Sequence, residues 1–198
     1  MDEITVARMA RAYHYTTLSA WRRVQHDGHL RPPTPLVNPH WRNAPREAHR
    51  PHLFALQEPE PAAWKENRLD RLLEYILRNG EGNRAFNYRN KIALLELDVR
   101  KEDDPHVVAF DHFDRLDEIA QQDRSVPKMI HQARAVRRYY ASRVPLADYA
   151  GQYRLPEIVI PNPVPVERAR LVWKRYAGEV LFGGVFFRGR PEGGGSYS

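Results

Sequence analysis

Residues 12–17 read AYHYTT and residues 18–28 read LSAWRRVQHDG, and the junction between the two strings decides how the chain begins to fold. Aromatic and β-branched residues crowd the first string, which suits a pleated strand. Thr17 or Ser19 can then cap the free amides of a helix over Leu18 to Asp27. Leu18, Trp21 and Val24 give that helix one apolar side, and Gly28 stops it. A strand that runs straight into a short helix opens a mixed fold.

Working outward, residues 31–51 hold Pro32, Pro33, Pro35, Pro39, Pro45 and Pro51, a long proline-rich loop. HLFAL (52–56) reads as a short strand, broken by Pro59 and Pro61. Pro61 opens a helix running to about Arg78, with Leu69, Leu72, Leu73, Ile76 and Leu77 as its apolar stripe. KIALLELDV (91–99) is a strand with Glu96 and Asp98 on one face. Val107–Phe110 is another, followed by helices over Asp111–Gln121 and Pro127–Ser142. In the second of these, Met129, Ala133, Val136 and Tyr140 form an apolar face opposite Arg134, Arg137 and Arg138. Glu157–Ile160, between Pro156 and Pro161, reads as a late strand, and Arg170–Lys174 and Glu179–Phe187 as closing strands. Strands and helices are mixed and the late strands crowd together, which is an α+β pattern. One domain over residues 1–188 with a Gly/Ser-rich tail over 189–198 is expected.

The 198 residues are 42% hydrophobic and 28% charged, enough for one packed core in water, and no apolar run is long enough to span a membrane. The first nine residues lack the basic patch and apolar stretch of a signal peptide. Cytoplasmic synthesis is expected, with export as an effector leaving no such mark. There is no cysteine, which excludes disulfides, thiolate metal sites and cysteine nucleophiles. The net charge of +6 is carried mostly by arginine, a bidentate phosphate binder, although a GC-rich genome produces the same bias. The excess lies in residues 1–50 and 151–198, so a basic face shared by the two ends is expected.

The chain has no GxGxxG after a strand and no GxxxxGK[ST], which removes the standard dinucleotide fold and the P-loop. His26, His29, His40, His49 and His52 match no zinc spacing. Asp111-His112 are adjacent, and adjacent residues on a helix do not face each other, so capping is the better reading of Asp111. Three strings carry more. Tyr13-His14-Tyr15-Thr16-Thr17 precedes the first helix and Gly28-His29-Leu30. Pro51-His52-Leu53-Phe54-Ala55-Leu56 follows the proline loop. Leu155-Pro156-Glu157-Ile158-Val159-Ile160 precedes Pro161 and Val164-Pro165-Val166.

In that order the three strings resemble the ADP-ribosyltransferase superfamily of the diphtheria-toxin and PARP type, over residues 12 to 173. The resemblance implies a split, mainly antiparallel sheet that opens a cleft for NAD⁺, which is consumed as a co-substrate. It implies that His14 bonds the adenosine ribose with Thr16 beside it, and that the backbone next to His14, at Tyr15, grips the nicotinamide amide. It gives Phe54 the stacking position, where the family usually has Tyr. It makes Glu157 the catalytic carboxylate, accepting from the nicotinamide ribose 2′-OH and stabilising the oxocarbenium-like cation. Leu155 stands two before Glu157, where the arginine-modifying and Gln-x-Glu branches carry Glu or Gln.

The proline loop then covers the nucleotide, with Arg42 and Arg46 meeting the pyrophosphate. Tyr149 and Tyr153 are candidates for substrate contact. Small domains of this layout are bacterial toxins, effectors or toxin–antitoxin components, so a macromolecular acceptor (protein or nucleic acid) and an antitoxin or host partner are expected. Two alternatives stand beside this reading: an NAD⁺-dependent RNA 2′-phosphotransferase, and a non-enzymatic nucleic-acid-binding module using the basic face. For structural roles, His14 could be a half-buried structural histidine, Phe54 and the two tyrosines could belong to the core, and Glu157 could be a surface carboxylate on an edge strand. The functional reading requires His14 and Glu157 to reach one bound dinucleotide.

Overall fold

A computed structural model describes residues 10–32, 51–60, 91–114 and 116–182. The helix expected over 61–78, Arg42, Arg46, most of the proline-rich loop, the tail and parts of both basic ends lie outside the described residues.

β1 (Ala10–Thr17) passes directly into α1 (Leu18–Asp27). Thr17 Oγ1 accepts from the Ala20 amide at 3.1 Å, so Thr17 is the cap. Gly28 ends the helix in the left-handed region at φ 75°, and its N–H donates to the Val24 carbonyl at 2.9 Å. β2 (His29–Leu30) and β3 (Leu53–Ala55) are short, and β4 (Lys91–Val99) is long. β5 (His106–Ala109) leads into α2 (Asp111–Asp114), α3 (Leu116–Gln122) and α4 (Lys128–Ala141). β6 (Val144–Pro145), β7 (Pro156–Ile160), β8 (Val164–Pro165), β9 (Ala169–Tyr176) and α5 (Ala177–Phe182) complete the series.

Every strand pairing described is antiparallel, and the fold is α+β. One sheet runs β1-β4-β9, a second runs β3-β7-β5-β6, and β2 pairs with β8. The first two sheets meet at a single bridge, Tyr13 opposite Leu56, with both backbone bonds at 2.8 Å. Alternation along the strands sorts the core into two sides. Ala12, Ala55, Leu95 and Ile158 lie in one cluster with Trp21 of α1. On the other side, Tyr15, Leu56 and Leu94 form one cluster and Val108, Val159 and Tyr139 another.

Two expectations need correction. Residues 177–182 are helical, where a closing strand over Glu179–Phe187 was expected; a short apolar run fits either state, and periodicity cannot separate them. The buried face of α4 is His131, Ala135, Val136 and Tyr139, while Met129 is 51% exposed. The arginines Arg134, Arg137 and Arg138 are exposed, as expected. No helix among the described residues is long and apolar enough to cross a membrane.

Candidate functional site at the seam between two sheets

β1, β3 and β7 are neighbours: β1 meets β3 at the Tyr13–Leu56 bridge, and β3 pairs with β7 through Phe54 opposite Val159 and Ala55 opposite Ile158. His14, Phe54 and Glu157, far apart in sequence, therefore stand on three adjacent strands.

The β1–β3 pairing stops after one bridge, and His14 occupies the place where it stops. An antiparallel ladder repeats its bonds every second residue. Beyond the Tyr13–Leu56 pair, the next would join the Tyr15 N–H to the Phe54 carbonyl. That carbonyl instead accepts from His14 Nδ1 at 2.7 Å, and no backbone bond joins Tyr15 to Phe54. A carbonyl only accepts, so Nδ1 carries the proton. Burial lowers the imidazole pKa below its usual 6.5, against the raising influence of the Phe54 carbonyl, which leaves the ring neutral near pH 7. Neutral and protonated at Nδ1, His14 presents Nε2 as an acceptor. The Tyr15 N–H and C=O point to the same side of β1 as those of Tyr13, into the opened seam.

The Tyr15 side chain is structural. It is buried, lies edge-on to Trp173 at 5.8 Å, and donates its hydroxyl to the Pro59 carbonyl. Burial raises its pKa. Thr16 is buried opposite Ala93. Phe54 is half-buried against Val108, Val159 and Tyr139.

Glu157 sits at the start of β7 opposite Val108 and is 4% exposed. Tyr139, 3% exposed and delivered by α4, donates its hydroxyl to Glu157 Oε2 at 2.5 Å. Burial pushes the carboxyl up to about 7, and the Tyr139 hydroxyl pulls the other way. A carboxylate so placed is poised between its two protonation states at neutral pH, as general acids, general bases and charge-stabilising groups are.

Alternation sends Glu157 to the side of Phe54 and Val159, and His14 to the side of Ala12 and Ala55. No hydrogen bond or ion pair among the described residues joins the two. A single ligand touches both only by crossing the seam. Tyr149 and Tyr153 are placed away from Glu157: they pack on the cluster containing Ile158, on the other side of β7. Their rings are 5.5 Å apart, and Tyr153 donates its hydroxyl to the Ser142 carbonyl. Asp111 is the first residue of α2, and its carboxylate accepts from the Leu155 amide at 3.2 Å and from Arg154 at 3.2 Å, fixing the entry to β7. A cavity of about 390 Å³ lies elsewhere, beside His29, Arg31, Asp103 and Arg168.

The partnership of Tyr139 with Glu157 was not apparent in the sequence. Tyr139 stands in a run of tyrosines, and nothing in its spacing distinguishes it from Tyr140. The chain matches no protein-family model, no curated protein and no solved structure.

Proposed function

We propose that the protein is an NAD⁺-dependent ADP-ribosyltransferase whose dinucleotide crosses the seam between β1 and β3. The observation that carries this reading is the interrupted ladder, in which His14 holds the Phe54 carbonyl and no backbone bond joins Tyr15 to β3. One N–H and one C=O on the same edge complement a carboxamide, which offers one acceptor and one donor in the same plane. The nicotinamide amide fits that pair. Its ring then lies on the Phe54 side, where Glu157 also projects, and stacks on the phenyl face. The adenosine ribose, reaching the opposite side, donates a hydroxyl to His14 Nε2.

The chemistry follows from these placements. The nicotinamide–ribose C1′–N bond breaks, and the pair of electrons leaves with neutral nicotinamide. Positive charge develops on the ribose, and the ionised Glu157 stabilises it while accepting from the 2′-OH. The acceptor nucleophile attacks C1′ and releases its proton. Glu157 must be ionised for this, so activity rises with pH through about 7.

Incubation of the protein with labelled NAD⁺ and a cell lysate tests the reading. Wild type is expected to place label on a macromolecule, and Glu157→Ala to lower the rate by about 100-fold or more. Equal labelling by the variant would remove Glu157 from the reaction. An absence of NAD⁺ binding in wild type would remove the reading altogether.

A further inference from the structure

We propose that Tyr139 is the positioning residue of this site: its hydroxyl, brought in by α4, fixes the Glu157 carboxylate through Oε2 and leaves Oε1 for the ribose hydroxyl. The inference deepens the transferase reading and rests on it for the identity of the ligand alone. The geometry stands independently. Tyr139 and Glu157 are 18 residues apart, on a helix and a strand, and each is almost fully removed from solvent. The ring of Tyr139 is itself held in place: Phe113 of α2 packs edge-on at 5.2 Å, and Tyr140 stands nearly perpendicular at 5.0 Å. A hydroxyl so clamped cannot follow a wandering carboxylate, so the carboxylate is held to the hydroxyl.

Two consequences follow from elementary hydrogen-bond physics. A phenol donating to a carboxylate stabilises the ionised form over the neutral one. It also fixes the plane of the carboxyl group, which decides whether the second oxygen meets a ligand. Tyr139 therefore controls both when Glu157 is charged and where it points. Because Tyr139 belongs to α4, a partner that shifts this helix would change both properties together.

The test replaces Tyr139 with Phe, which keeps the ring and removes the donor. The Glu157 carboxyl is followed by carbon-detected NMR through a pH titration, and NAD⁺ cleavage is followed over the same range. Tyr139→Phe is expected to move the carboxyl midpoint upward by about one pH unit, roughly a fivefold loss of ionised Glu157 at pH 7. The pH–rate profile should move with it, with kcat reduced and KM for NAD⁺ little changed. A carboxyl midpoint unmoved by the substitution would overturn the proposal. A midpoint that moves in a protein with no NAD⁺ chemistry would sustain the positioning role and sink the transferase reading. Should the variant fail to fold, the wild-type Tyr139 Cζ signal decides: it is expected to titrate with the same midpoint as Glu157, and independence of the two signals contradicts the pairing.

Discussion

Glu157 shows how one residue joins stability to chemistry. Its carboxyl titrates near 4.5 in the unfolded chain and at about 7 in the fold, because burial disfavours the charge. Below pH 4.5 both states hold the proton and there is no penalty. As the pH rises from 4.5 to 7 the unfolded chain gives up its proton first, so the fold loses stability, and above 7 the loss is complete at about 3 kcal/mol. Glu157→Gln keeps the shape without the charge. The stability difference between the two proteins, measured by urea unfolding from pH 4 to 8, is expected to grow in favour of the variant as pH rises. A difference that stays constant with pH would show that Glu157 is ionised as easily in the fold as in the open chain. His14 works in the opposite sense: its lowered pKa makes the fold less stable as pH falls below 6.5.

Elements with strong local signals were legible in the sequence. The bounds of α1 follow from Thr17 and Gly28, and those of β4 from its apolar run. Gly28 supports a quantitative statement, since a Cβ there would meet nothing within 4 Å. Only the left-handed backbone opposes a side chain, so Gly28→Ala should cost about 1 kcal/mol. The urea midpoint should fall with an unchanged slope; an unaltered midpoint would mean that α1 ends by some other means. Local signals failed where tertiary contacts chose between equal options. The apolar stretch at 177–182 suits a strand or a helix equally well. In α4 the adjacent pair Tyr139 and Tyr140 let the apolar stripe be phased either way, and the Glu157 carboxylate on β7 selects Tyr139.

At the scale of the whole molecule, the order of the three strings was visible but their junction was not. That His14, Phe54 and Glu157 stand on neighbouring strands depends on pairings across more than forty positions, such as Tyr13 with Leu56. No pattern in a sequence announces that an imidazole will replace a ladder bond. The long-range frame of the described residues includes a part-buried ion pair, in which Arg168 donates twice to the buried Asp103, at 2.8 and 2.7 Å. This pair ties the start of β9 to the turn after β4. The alternation that puts His14 and Glu157 on different sides of the strands is the most demanding condition on the account, since one dinucleotide must then pass through the opening beside Tyr15. Titration of the protein with NAD⁺, following the His14 ring and the Glu157 carboxyl by NMR in the same sample, measures this directly. Both signals are expected to shift along one binding curve with a single midpoint. Saturation of one while the other stays still would contradict a shared ligand and, with it, the seam as an NAD⁺ site.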